Sequence, residues 1–382
     1  MEAESMERVH PLEDWDFANL TYKHTQYMTH FFHHWTAKFI PQIPSRLIQR
    51  YCPPGGKVVD PFMGSGTSIV EAKLLRHPSC GLDINPLAIK IAQAKTRRID
   101  FLLLDDFVDW LEYGRRSTDH GIPLLPGMGR DISLPEDPTL FPNSELWFRD
   151  DTARHIKCIL EKISTFDPDT KNFIEVGLSD LLKGMSNARL DIAVPTLPRG
   201  DSYVDKKHYH VTVHNPSRQI DVFGRLAAQL RRMARALRQL LVIGRDTVCD
   251  IVLGDARQLS QHVDQASLVV TSPPYWDAQN YQKLHFLSFK VLGLPEPGSQ
   301  EIGRIKRHYL EDMDRVVGEI ARVLDGVFAI VIGESRRGTH EKVRQLALEH
   351  GMTEVQTIRR RITNHAFFAR GVQTEYIYVF RH

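Results

Sequence analysis

The sequence predicts an α/β protein: a doubly wound, mostly parallel sheet of seven strands with a large insertion forming a second, smaller domain. Three observations carry that prediction. Between Lys57 and Arg98 the chain runs strand, glycine turn, helix, strand, helix, which is one βαβ unit and the helix after it. Strand-like runs return after residue 247 with helical candidates between them. The stretch from residue 100 to 246 breaks this alternation.

Taken in order, KVVD is a short β-rich run, PFMGSGTS a turn, IVEAKLLR a helix, SCGLDI a second strand and LAIKIAQAK a second helix. Near-continuous apolar strands of this kind are buried on both faces of a parallel sheet. From Asp100 to Asp150 the chain is acidic, and after Tyr113 it is dense in proline and glycine, which reads as loop. Helical stretches without a βαβ repeat follow up to Gly244. Residues 100–246 are therefore read as an inserted, mainly helical domain interrupting a sheet domain of residues 1–99 and 247–382. CDIVLGD, SLVVTSPP and VFAIVIG resume the strands, and TEVQTIRR and EYIYVFR close the sheet.

Composition narrows the class. A length of 382 residues fits two domains at about 150 residues each. Hydrophobic residues at 42% and charged residues at 25% exclude a disordered chain. No apolar run approaches the ~18 residues of a membrane span, and the acidic N-terminal stretch is unlike a secretory signal, so no membrane partner is expected. Four scattered cysteines without a CxxC pair exclude a disulfide framework and suit a reducing cytosol. His30, His33 and His34, and His208 and His210, lack an acid or thiol at zinc spacing, so no metal is expected. A net charge of +2 still permits a local basic surface for nucleic acid.

Three motifs carry chemistry. In Asp60-Pro61-Phe62-Met63-Gly64-Ser65-Gly66-Thr67, glycines follow a buried strand. There the backbone can turn sharply and approach a ligand beside a helix N-terminus. The spacing is neither a Walker A loop nor a G-x-G-x-x-G fingerprint, and alone it is equally a tight βα turn. Asp83 ends the next strand, where a carboxylate can accept from both hydroxyls of a ribose. An aspartate there is often a helix N-cap, but Asn85 can take that role. In Thr271-Ser272-Pro273-Pro274-Tyr275, two prolines end the strand ladder and fix the exit path, aiming backbone carbonyls outward. A proline-terminated strand with a core tyrosine is the plainer alternative, and the other two motifs weigh against it.

DPFMGSGT, GLDINP and TSPPY together resemble the S-adenosylmethionine-dependent DNA methyltransferases that modify exocyclic amino groups. The resemblance spans roughly Tyr27 to Thr96 and Thr247 to His382, and it implies a Rossmann-like methyltransferase sheet. It implies S-adenosylmethionine as cofactor, held by Asp60, Pro61, Phe62, Gly64, Ser65, Gly66, Thr67, Asp83 and Ile84. HHWTAKFIPQIPSRLI is similar to the segment that packs on the cofactor's methionine end, implying Lys38, Phe39 and Pro41. LGDARQL implies Asp255 and Ala256 at the adenine. Ser272, Pro273, Pro274 and Tyr275 would be catalytic, and Tyr281 and Lys283 would lie near the site. The cofactor motif precedes the catalytic motif, the arrangement called α-type, which places target recognition in the insertion. Serine at the first catalytic position is commoner in the reverse order, so motif order does not assign the target base.

The implied partner is double-stranded DNA with a flipped target base, together with a cognate restriction endonuclease. Serine points to cytosine N4, with adenine N6, then RNA methylation, then a catalytically silent nucleic-acid-binding module as alternatives. Methylation at cytosine carbon 5 needs a Pro-Cys nucleophile, which the sequence lacks. For nucleic acid, GRLAAQLRRMARALRQLL places Leu226, Leu230, Met233, Leu237 and Leu241 on one helical stripe and Arg231, Arg232 and Arg235 opposite. Arg360, within a second basic run that includes Phe367 and Phe368, is a further candidate, as is a plain solvated face for the helix.

Overall fold

The computed structural model describes residues 14–36, 38–120, 132–190, 192–198, 202–204, 210–212, 220–274, 281–296, 302, 308–335, 338–362 and 374–382. Seven strands build one sheet: β1 (Val58–Asp60), β2 (Ser79–Asp83), β3 (Cys249–Leu253), β4 (Ala266–Thr271), β5 (Leu324–Gly333), β6 (Thr353–Arg361) and β7 (Thr374–Arg381). Their order across the sheet is 3-2-1-4-5-7-6. All neighbours are parallel except β7, which runs antiparallel to both β5 and β6. The strand order reverses between β1 and β4, and in doubly wound sheets the ligand crevice lies outside the strand C-termini at such a point.

The central strands are apolar on both faces because helices cover both. Val58, Leu268, Val270, Ala329 and Val331 pack under α1 (Gln42–Tyr51) together with Trp15 and Phe17. Val59, Val269, Phe328 and Ile330 face the other way, against α10 (Tyr309–Val323) and α11 (Thr339–Glu349). β6, at the sheet edge, carries alternating exposure instead. Two further helices follow the first two strands: α2 (Thr67–Leu74) after β1, and α3 (Pro86–Thr96) after β2. Asn85 caps α3 by accepting from the Leu87 amide at 2.9 Å, with Pro86 at the first helical position.

The segment between β2 and β3 holds α4 (Phe101–His120), α5 (Asp150–Lys162), α6 (Pro168–Met185) and α7 (Val222–Ile243), plus an antiparallel pair, Ser202–Val204 with His210–Thr212. The loop expected from Asp100 onward is in fact helical as far as His120. Leu104, Phe107, Val108 and Leu111 recur at helical spacing and are buried, and the prolines that suggested a loop all lie after that helix. These helices share one core with Leu87, Ala88 and Ile91 of α3, with Phe32 and Trp35, and with Leu287 and Phe289 of α9 (Phe286–Val291), which follows α8 (Tyr281–Leu284). Apolar packing thus joins α4–α7 to α3, Phe32, Trp35 and α9 in one core. No helix among the described residues is long and apolar enough to cross a membrane.

Candidate active site

After β1 the chain turns sharply into α2, beside the C-terminal end of β2. Gly64 and Gly66 have φ of +50° and +78°, in the region that favours glycine. A Cβ on Gly64 would lie 3.1 Å from the indole nitrogen of Trp35, a contact tight enough that the indole would have to shift by a few tenths of an ångström. The Gly64 amide donates to Asp83 Oδ2 at 2.9 Å, and the Asn85 amide donates to Asp83 Oδ1 at 2.8 Å. A carboxylate offers about four acceptor positions, so these two bonds do not exhaust it. Phe62, Gly64, Asp83, Ile84 and Asp255 are all half-buried. The donor set therefore fits an adenosyl group: a carboxylate for the ribose hydroxyls, Phe62 and Ile84 as apolar neighbours, and side-chain-free backbone at the turn.

Several buried groups support this loop. Lys95, fully buried in α3, donates its ammonium to the Ser65 carbonyl at 2.7 Å, and burial holds its pKa well below the usual lysine value. Ser65 Oγ and Thr67 Oγ1 are buried without a hydrogen-bond partner among the described residues. Trp35 stacks on Tyr281 at 5.5 Å and on His285 at 4.8 Å, joining the glycine loop to the helices that follow the TSPP motif. A cavity of about 290 Å³ adjoins this stack, lined by His285 and by His33, Thr36, Asp180 and Ser288. Burial lowers the His285 pKa to about 3, so the ring is neutral.

The 27–41 segment is anchored from below. Glu71 of α2 accepts from Tyr27 at 2.6 Å and meets His30 at 2.7 Å, and Lys38 donates to the His30 carbonyl at 3.1 Å. Burial drops the Lys38 pKa to about 8. Phe39 is a core residue under α1, and Pro41 is the residue from which α1 starts. Asp255 also caps a turn: it accepts from the Arg257 amide at 2.9 Å and pairs with the Arg257 guanidinium, which reaches on to Asp312 at 2.8 Å. Ala256, next to it, is buried.

Two expected site residues have their side chains turned inward. Asp60 was expected at the cofactor, but its carboxylate is 1% exposed and turned inward, accepting from Phe62, Ser68 and Thr271. Arg360, expected at nucleic acid, is 4% exposed because it pairs with Glu375 and donates to the Trp15 carbonyl. The arginine face of α7 is exposed, yet partly engaged: Arg231 pairs with Glu112 and Arg238 with Asp105 at 2.9 Å, both from α4. Arg232 lies 4.6 Å over the Phe31 ring. Ser272 and Pro274 are half-buried at the exit of β4, and Pro273 is buried. Tyr275, Phe367 and Phe368 lie outside the described residues. Lys283 is exposed on α8.

Sequence reasoning missed Trp35 and Lys95 beside the glycine loop, and gave Thr271 no contact beyond its place in the proline motif. Lys95 carried a signal: it continues the apolar face of Ala88, Ile91 and Ala92, which buries a lysine only if its ammonium finds an internal acceptor. Among the described residues, no group of three or more His, Cys, Asp or Glu could hold a metal ion.

Comparison with known proteins agrees with the first two motifs. Residues 2–94 match the family described as DNA methylase. The resemblance to the DNA amino-methyltransferases is upheld. The chain is 32% identical over 169 residues to the type II methyltransferase M.MvaI of Kocuria varians, covering 43% of this chain and 36% of that protein. It is 34% identical over 113 residues to the type II methyltransferase M.MjaII of Methanocaldococcus jannaschii, covering 28% and 21%. The matches thus span about a third and a fifth of the length of those relatives. Among solved structures, a TehB-like SAM-dependent methyltransferase from Corynebacterium glutamicum aligns over 88% of this chain and 86% of its own, at 11% identity and a TM-score of 0.32.

Proposed function

We propose that this protein is a site-specific DNA methyltransferase that moves the methyl group of S-adenosylmethionine to the exocyclic amine of a flipped base, cytosine N4 foremost. The observation that carries the reading is the pairing of β1 with β4: the glycine loop leaves one strand and Ser272-Pro273-Pro274 leaves its neighbour, at the switch point of the sheet. The cofactor supplies an electrophilic methyl on a sulfonium. Gly64, Asp83 and Ile84 would hold its adenosyl part, and the Lys38 segment its methionine end.

An exocyclic amine is a poor nucleophile because its lone pair is delocalised into the ring. The Ser272 hydroxyl and the Pro273 carbonyl would accept its two hydrogens, drawing the nitrogen towards tetrahedral geometry. The same acceptors stabilise the positive charge developing on nitrogen, an interaction that strengthens in the transition state. Tyr275 would stack on the base, which cannot react inside a duplex. Residues 100–246 would form the recognition domain, with the α7 arginines along the phosphates. The type II designation of both relatives favours a cognate restriction endonuclease as partner.

The test is to incubate the protein with methyl-labelled S-adenosylmethionine and unmodified DNA, digest to nucleosides and separate them. Label in N4-methylcytosine is expected. Label in N6-methyladenine keeps the chemistry and overturns the use of Ser272 to choose the base. Label on RNA alone overturns the substrate class.

A further inference from the structure

One buried carboxylate joins the two motifs. Asp60 Oδ1 accepts from the Thr271 hydroxyl at 2.7 Å and from the Phe62 amide at 3.1 Å, while Oδ2 accepts from the Ser68 hydroxyl at 2.5 Å. Thr271 is the residue immediately before Ser272, Phe62 leads into Gly64, and Ser68 stands in the first turn of α2. Asp60, Ser68 and Thr271 are each at most 1% exposed. The residue pairs in register between β1 and β4 are Val58 with Leu268 and Val59 with Val269, and the Lys57 carbonyl just before β1 accepts from the Ser267 and Leu268 amides. Towards the strand C-termini, the Asp60–Thr271 bond ties the last residue of β1 to the last residue of β4.

We propose that Asp60 is a positioning residue that sets the distance between the glycine loop and the Ser272 and Pro273 acceptors. This rests on the reading of Ser272–Pro274 as the amine-binding motif. Methyl transfer needs the amine in line with the methyl group, and these are held by two different strand ends. A misplacement of about 1 Å between reacting groups can cost on the order of 100-fold in rate. A carboxylate buried without water is costly unless its acceptors are used, and here three donors from β4, the loop and α2 converge on it. Such a carboxylate constrains all three elements at once, which a hydrophobic residue of similar size would not do.

The test uses the full chain with Thr271→Val, which keeps the side-chain shape and removes the hydroxyl, and Thr271→Ser, which keeps the hydroxyl. Asp60→Asn and the Asp60→Asn/Thr271→Val double variant complete a cycle. Single-turnover methyl transfer at saturating DNA and cofactor is read beside cofactor Kd by calorimetry. The expected result for Thr271→Val is a rate at least about tenfold lower with cofactor Kd within about twofold of wild type. Thr271→Ser restores most of the rate, and the double variant is little worse than Thr271→Val alone, because the bond is already gone. A Thr271→Val protein with wild-type rate, or one whose loss lies only in cofactor Kd, overturns the proposal, as does a Thr271→Ser protein as slow as Thr271→Val. If Asp60→Asn fails to fold, the two Thr271 variants still decide. A wild-type protein that transfers no methyl group to DNA overturns the underlying reading instead, before any variant is compared.

Discussion

Gly66→Ala perturbs the turn between β1 and α2 in two ways that a second variant can separate. The first is backbone strain: φ at Gly66 is +78°, and an L-residue in that region costs about 1–2 kcal/mol. The second is a collision. The new Cβ would lie 2.9 Å from the Cβ and 3.3 Å from the Cα of Ala92 in α3, where ordinary contact begins at 3.4 Å. Those atoms belong to a helix backbone and its first side-chain carbon, so they cannot swing aside. α2 and α3 must separate by about 0.5 Å (3.4 less 2.9), and overpacking of this kind costs roughly 1–3 kcal/mol. Gly55→Ala supplies the control: φ is +75°, with nothing within 4 Å of the new carbon, so only the strain applies. Urea unfolding of the two variants should therefore show Gly66→Ala less stable than Gly55→Ala by about 1–3 kcal/mol. Affinity for S-adenosylmethionine should fall for Gly66→Ala and hold for Gly55→Ala. Equal stability losses would refute the close approach of α2 and α3 on which the loop geometry depends.

Two further outcomes are expected. Lys95→Met removes the tie to the Ser65 carbonyl but keeps an apolar stem of similar volume, and replacing a buried charge this way is often neutral or stabilising. Calorimetry should show cofactor binding weakened by about tenfold while urea unfolding shows no matching loss; parallel losses in both would make Lys95 purely structural. For His285→Phe, the pH dependence is the readout. Burial lowers His285 to about 3 and His30 to about 4, against an ordinary 6.5. The unfolded chain therefore binds more protons than the folded one below about pH 6.5, and these rings make stability fall as pH falls through that window. Asp60 and Asp180, raised by burial to about 6, act in the opposite sense between 3.8 and 6. His285→Phe should flatten the fall between pH 6.5 and 4 and raise stability at pH 7 by about 1 kcal/mol, since the buried Nε2 has no partner among the described residues. An unchanged slope would count against a buried neutral ring.

Much of the fold was legible because its signals are local. VVD, ASLVVT and LDGVFAIVIG hold β-branched apolar runs, SCGLD is a short run ending in acid, and each became a strand where expected. The capping role of Asn85 could be read the same way, from a short polar side chain before Pro86. Misreadings arose where local composition pointed away from packing. The prolines and glycines after residue 120 obscured the helical periodicity of α4 just before them. The run Arg359-Arg360-Arg361 looked uniformly basic, but strand alternation turns the middle residue inward to Glu375.

The sequence by itself determined the strands, the glycine turn and the proline exit, because each depends on residues within a few positions of one another. Only the tertiary structure decided what joins them. Asp60 and Thr271 stand 211 positions apart, and Arg231 and Glu112 stand 119 apart. Nothing in either neighbourhood says which partner a buried carboxylate or an exposed arginine will find. The strand order 3-2-1-4-5-7-6 brings β4 beside β1 although about two hundred residues separate them in the chain, and that adjacency makes one motif the neighbour of the other. Hydrogen bonds act over about 3 Å of space whatever the length of chain between their partners, so the site's wiring belongs to the fold.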